Sequence, residues 1–398
     1  MLRHPRNRAA VAFTASLSAL VAGLLTVSPA QAAGSASAPV LRWTEAVLPD
    51  EGVVVDSLIH PDAATTWSGG TRIIREGKAT RFEPVLYTAD AQGRAWHRVP
   101  LAQGTTTRSR LNDVDATSAT SAVLVGDYDR GLGGVLTQRL AAGSWQVSVA
   151  PVPANTLGGG LLQVDALTPD DAWAVGWVQI LDRVVTDPET GESEQISHSE
   201  PLVRHWDGTA WRASTLPRVA SSWSLADVRT TATDDVWAVG RTDDDSQPVI
   251  MHFDGLVWTR VATPSYGGTQ GELLSLTERG GKLVAVGSRK RVTDGAREGA
   301  ALGYDGSAWR QVNLPSGTGP LVAVTASPHG VAAVGTDDDG TSYGVAHNGR
   351  RFRSLALPNS PSLSLTSILA DTNSLMVGGV RPATQTSPAR PVVLIARR

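Results

Sequence analysis

The 398-residue chain contains no cysteine. That absence excludes disulfides, thiolate metal sites, a cysteine nucleophile and lipidation at a lipobox cysteine, so stability has to come from packing and topology. A dominant charge is missing too. With 35 basic against 38 acidic residues the formal net charge is -3, which leaves no whole-chain electrostatic footprint for nucleic acid or an anionic membrane. Past the first segment no stretch is apolar and long enough to cross a bilayer. No H-E-x-x-H or phosphate-loop motif occurs, and no catalytic residue, metal ligand or cofactor is assigned. Phenylalanine and tyrosine are scarce, at 4 and 5 residues, against 12 tryptophans. What is present suffices for a folded interior: 41% of residues are hydrophobic and 18% charged, which argues against global disorder.

Residues 1–32 have the build of a secretory signal. Arg3, Arg6 and Arg8 make a positive start, Ala9 to Val27 is apolar or small, and Ala30-Gln31-Ala32 supplies an A-x-A cleavage site. Thr14, Ser16 and Ser18 weaken the competing reading, an uncleaved anchor. The expectation is an exported, extracellular chain with a flexible linker at 33–38, a folded domain over 39–398 and no membrane contact after cleavage.

A repeat organises that domain. LLQVDALTPDDAWAVG and PLVRHWDGTAWRASTLP in residues 161–217 return as SLADVRTTATDDVWAVG and PVIMHFDGLVWTRVATP in residues 224–264, with weaker copies before and after. Each unit divides into four short β-runs separated by turn residues. Four strands at a period of roughly 40 to 60 residues is the pattern of a propeller blade. The second run, as in Val236-Trp237-Ala238-Val239, is apolar on both faces and suits a strand sandwiched between blades. Its terminal glycine recurs as Gly126, Gly176, Gly240, Gly287 and Gly335, fitting a close backbone approach near the axis. The fourth run opens on an aromatic six residues before a proline, in Trp43/Pro49, Trp145/Pro151, Trp211/Pro217, Trp258/Pro264, Trp309/Pro315 and Phe352/Pro358; Trp96 lacks that proline. These rings are expected to be structural wedges. Trp43/Pro49 precedes any complete unit, and the last unit lacks its fourth run. The predicted fold is therefore all-β: a seven-bladed β-propeller of four-stranded antiparallel blades, with Leu41 to Pro49 closing the last blade.

The motif D-D-x-W-A-V-G followed by H-W/F-D-G-x-x-W and a proline resembles secreted bacterial β-propeller repeat proteins, in a degenerate pattern related to Kelch and galactose-oxidase-like propellers. The resemblance covers about residues 41–398 and implies fold more than activity. Kelch-type double glycine occurs only at Gly69-Gly70 and Gly378-Gly379, and a copper site built on a cysteine–tyrosine cross-link is excluded. Asp207-Gly208, Asp254-Gly255 and Asp305-Gly306 read as hairpin turns.

Chemistry is expected on the face carrying the loops between second and third strands, whose lengths vary most: Thr71 to Glu83, Asp127 to Gly134, Val178 to Glu200, Arg241 to Gln247, Ser288 to Gly299, Thr336 to Ser342 and Arg381 to Arg390. Aromatics outside the repeat reach that face and form the candidate ligand-binding set, Trp177, Trp223, Tyr266, Tyr128 and Tyr343. Trp223 and Tyr266 are expected in loops, either exposed or folded back over the blade. Basic residues (Arg72, Arg75, Lys78, Arg81; Arg289, Lys290, Arg291, Arg297) and acidic triplets (Asp243 to Asp245; Asp337 to Asp339) alternate around this rim, which suggests loop-to-loop pairing before metal binding. His205, His252 and His347 recur at one repeat position and are expected to bond turn backbone. The resulting reading is a monomeric, noncatalytic binding or scaffold module that recognises an extracellular glycan or protein. The alternative is a polysaccharide-acting hydrolase or lyase with carboxylates at the central opening.

Overall fold

A computed structural model describes residues 41–398 except 78, 103–108, 244–245, 265–267, 359–362, 385–386, 388 and 398, with backbone alone at 268–269. The signal and linker expected at 1–38, and Tyr266, lie outside the described residues. Every regular element among those described is a β-strand. The run Val236 to Val239 shows why. Val236 and Ala238 join one apolar cluster while Trp237 and Val239 join the next, as the two-residue period of a strand between two buried faces requires.

The chain begins with β1 (Arg42–Ala46). A four-stranded meander follows: β2 (Val53–Asp62), β3 (Thr65–Glu76), β4 (Ala79–Asp90) and β5 (His97–Val99). Next come β6 (Leu111–Ser118), β7 (Ser121–Asp129), β8 (Gly134–Ala141) and β9 (Ser144–Pro151), then β10 (Thr156–Thr168), β11 (Asp171–Thr186), β12 (Ser193–Trp206) and β13 (Trp211–Ala213). Two further four-stranded sheets comprise β14 (Trp223–Ala232), β15 (Asp235–Thr242), β16 (Pro248–Phe253) and β17 (Trp258–Val261), and β18 (Gly268–Glu278), β19 (Leu283–Arg291), β20 (Arg297–Tyr304) and β21 (Trp309–Gln311). Another contains β22 (Ala323–Ser327), β23 (Gly330–Thr336), β24 (Ser342–His347) and β25 (Phe352–Ser354). The last sheet joins β26 (Ser364–Ala370), β27 (Ser374–Arg381) and β28 (Arg390–Arg397) to β1, with Arg42 opposite Arg397 and Ala46 opposite Val393.

The first strands of these meanders, β2, β6, β10, β14, β18, β22 and β26, each lie against the next, and β26 returns to β2. The fold is a β-propeller of four-stranded antiparallel blades. The expected seven separate sheets are not found: five separate four-stranded sheets are present, and β6 to β13 form one eight-stranded sheet. The merger rests on one pair, Gly160 with Asp127. Gly160 has no side chain, and a Cβ there would stand 2.7 Å from Asp127 Cα, so β10 can reach β7 only because this residue is glycine.

The repeated glycine has a related cause. Opposite it, each of β2, β6, β10, β14, β18 and β26 skips one residue in register, at Asp56, Asn112, Leu162, Ala226, Leu274 and Thr366. These bulges push a carbonyl toward the neighbouring strand, and a Cβ on Gly240 would lie 2.1 Å from the Ser224 oxygen. The wedge tryptophans behave as expected. Trp96, Trp145, Trp211, Trp258, Trp309 and Phe352 are buried. Trp258 Nε1 donates to Ser214 Oγ at 3.1 Å, in the segment that ends the preceding meander, and Trp43 Nε1 donates to the Ala356 carbonyl at 2.8 Å. Burial of one such ring contributes about 4 to 6 kcal/mol of transfer free energy.

Candidate functional site

Several long connections on the expected face are folded ribbons. Thr71–Glu76 pairs with Ala79–Pro84, Ser288–Lys290 with Arg297–Gly299, and Val178–Thr186 with Ser193–Glu200. The last of these carries β11 and β12 well past their sheet, with Val184 and Val185 exposed. At its base His198 bridges two carboxylates, Nδ1 to Asp182 at 2.8 Å and Nε2 to Glu200 at 3.1 Å. Burial pulls the imidazole pKa down, but the two carboxylates outweigh it and hold the value above that of free histidine.

Charges on this rim pair with one another. Arg72 lies 3.6 Å from Glu83, and Arg98 meets Glu83 at 2.5 Å and Asp50 at 3.6 Å. Buried Glu272 takes Arg241 and Arg297 together with Ser288 Oγ at 2.8 Å, and Arg297 also reaches Asp338 of another loop at 3.8 Å. Asp337 is a turn acceptor for the N–H groups of Asp339 and Thr341. Asp244 and Asp245 lie outside the described residues.

The candidate aromatics are dispersed over four strands. Trp177 is half-buried on β11, opposite Gly160 and Pro201. Tyr128 is half-buried on β7 and packs on the cluster around Leu161 and Val178. Tyr343 on β24 donates its hydroxyl to Asp337 Oδ2 at 2.7 Å, and burial together with that bond pushes its pKa up to about 12. Trp223 is corrected: it opens β14 as a core residue, 4% exposed, among Leu225, Val228 and Trp258. Leu216, Val219 and Ala220 pack against the same cluster, and at 4% exposure the ring offers little surface to a ligand.

The histidines of the repeat are corrected in their partners. His205 Nε2 meets Asp171 Oδ1 at 2.8 Å and its ring stacks on Trp173, while His252 Nε2 meets Asp235 Oδ1 at 2.7 Å and stacks on Trp237. The D-x-W motif thus supplies both the acceptor and the stacking surface. His347 alone of the three takes turn backbone, through the Gly349 N–H at 3.1 Å. The D-G turns hold as read: Asp207 Oδ1 accepts from the Thr209 and Ala210 N–H groups, with Gly208 at a φ of 87°.

The chain is similar to YCF48. A structure of YCF48 bound to a D1 peptide superposes with a TM-score of 0.55 at 14% identity, covering 89% of this chain and 96% of that one. A protein of unknown function from Dyadobacter fermentans DSM 18053 gives 0.51 at 14% identity, covering 90% and 100%. No family model and no curated protein matches the chain. The likeness to YCF48 at this identity is one of fold.

Sequence reasoning missed a set of carboxylates on the inner strands. Asp113 Oδ2 on β6 accepts from the Val164 N–H of β10 at 3.0 Å, and Asp115 Oδ2 from the Ala166 N–H at 2.8 Å. Asp165 on β10 accepts from the Thr230 N–H of β14 at 2.5 Å and from Arg229 Nη1 at 2.7 Å. Asp227 on β14 accepts from the Leu276 N–H of β18 at 2.6 Å. These groups tie one inner strand to the next. The signal was available: aspartates within the apolar runs LNDVDA, LLQVDA and SLADVR mark acceptors that need buried donors. Nearer the long-loop face, Asn112 Nδ2 donates to Asp127 Oδ1 at 2.9 Å and to the Leu161 carbonyl at 2.8 Å. Burial raises the Asp56 carboxyl well above the ordinary value, with Arg110 opposing and Asp127 adding to the rise.

Proposed function

We propose that the chain is a secreted, monomeric, noncatalytic propeller that recognises an extracellular protein through the face bearing the β3–β4 and β11–β12 ribbons. The observation that carries this reading is the β11–β12 arm, paired out to Thr186 and Ser193 and carrying exposed Val184 and Val185. A paired ribbon has already given up the conformational entropy that a flexible loop would lose on binding, so its apolar side chains are offered at low cost. The bound peptide in the YCF48 structure supports a protein partner over a glycan. Trp177, Tyr128 and Tyr343 would serve as secondary contacts on the same face. The inner-strand carboxylates accept backbone N–H groups of neighbouring strands, which favours a binding module over the hydrolase or lyase alternative. We count β6–β9 and β10–β13 as two blades, giving seven, in a degenerate relative of secreted bacterial propeller repeats.

A photo-crosslinking residue at Val184, compared with one at Leu256 on the opposite, short-turn face, tests the reading in the native extracellular setting. Discrete protein adducts from position 184 alone are expected. Adducts equal at both positions, or turnover of a polysaccharide by the purified protein, would overturn it.

A further inference from the structure

Among the described residues, aspartates accept backbone N–H groups of the next first strand at three consecutive seams, β6/β10, β10/β14 and β14/β18. The other seams use hydroxyls for their backbone ties: Ser57 Oγ donates to the Val114 carbonyl at 3.3 Å, Thr366 Oγ1 to that of Val55, the Val324 N–H donates to Ser275 Oγ at 3.2 Å, and the Leu365 N–H of β26 to Thr336 Oγ1 at the end of β23 at 2.9 Å; the β26/β2 seam adds a bridge from His60 to Asp371 at 3.2 Å. Charge on the carboxylate side is unbalanced. Asp113 and Asp115 from β6, Asp165 from β10, Asp227 from β14 and Glu278 from β18 act on one another or on Arg229, the cation from β14 that faces them. The strands flanking the cluster contribute hydroxyls, Ser57 of β2 beside Asp113 and Ser275 of β18 beside Asp227. The four aspartates cannot all ionise around one guanidinium in a buried seam without strong mutual repulsion.

We propose that this cluster is a pH-responsive clamp: shared protons hold the β6/β10, β10/β14 and β14/β18 seams closed in mildly acidic surroundings, and losing them loosens these seams while the hydroxyl-tied seams stay shut. The direction follows from proton linkage. Burial, with repulsion from Asp165, raises Asp115 to about 7; burial raises Asp227 to about 7 and lifts Asp113 and Asp165 in the same direction. Opening a seam hydrates these groups and returns them toward about 3.9. The open seam then binds fewer protons than the closed one, so the advantage of closure is complete below about pH 4 and drains away as the pH climbs to about 7.

Amide hydrogen exchange on the intact protein tests this, with rates corrected for intrinsic pH dependence. Between about pH 4.5 and about pH 7.5 the protection of the Val164, Ala166, Thr230 and Leu276 amides should fall about ten-fold or more. The Leu365 amide, and the Leu111 amide held by Thr71 Oγ1 at 3.1 Å, should change less than about three-fold. Parallel changes in both groups, or none in the first, would overturn the clamp. Asp115→Asn and Asp227→Asn each keep an acceptor oxygen and remove a titrating group. Each should shrink the pH response at the amides it faces; an undiminished response would equally count against the proposal, and the wild-type measurement stands if a variant fails to fold.

Discussion

Two arcs of the same ring solve one problem with different chemistry. Between β6 and β18 the inner strands are tied by aspartates accepting N–H groups of the next strand, while from β18 through β22 and β26 back to β6 the backbone ties are serine and threonine hydroxyls, with one His60–Asp371 bridge between β2 and the end of β26. Backbone geometry is repeated, so the difference lies in the side chains. An aspartate brings a titrating group into the interior, whereas a hydroxyl stays neutral. The backbone ties of one arc therefore depend on protonation, and those of the other do not.

The largest expected effect comes from opening the hydroxyl arc at its end. Deleting residues 41–49 removes β1 from β28, along with the Trp43 bond to Ala356, and should lower the melting temperature by more than about 10 °C. Exchange on the truncated chain sharpens the contrast: the β22, β26 and β2 amides should lose protection first, and uniform loss across both arcs would erase it. Next in size is Asp165→Ala, which strands the Thr230 N–H and leaves Arg229 without its 2.7 Å partner; denaturant unfolding should report a loss of about 3 to 5 kcal/mol. Smallest is Ser275→Ala, which removes the hydroxyl that accepts from the Val324 N–H and stands beside Asp227 and should cost about 1 to 2 kcal/mol. A serine loss as large as the aspartate loss would show that the ties differ in name only.

Much of the fold was legible because its signals are periodic. The apolar V-W-A-V runs, the D-G turns and the spacing of the wedge tryptophans each recur, and each corresponds to a strand, a turn or an inter-sheet contact. The outer strand at Arg42–Ala46 could be placed because one unit lacked what the chain start supplied. The contact of β10 with β7 was not legible, since it depends on Gly160 admitting the backbone of Asp127 rather than on any repeated residue. The candidate site was read less well. Trp223 and Trp177 are both tryptophans beyond the repeat, yet one is core and the other half-buried at the rim. A loop sequence does not say whether the chain will fold back over its own ring.

By itself the sequence determined the class of strand, the repeat and the way the first strand completes the last sheet, because those follow from residue type at fixed spacing. Only the tertiary structure decided which carboxylates meet which amides, since Asp113 and Val164, or Asp227 and Leu276, are about fifty residues apart and come together through ring closure. Charge in the interior is a property of that assembly: each aspartate is ordinary in its own strand, and becomes costly and titratable only when the neighbouring strand removes its water.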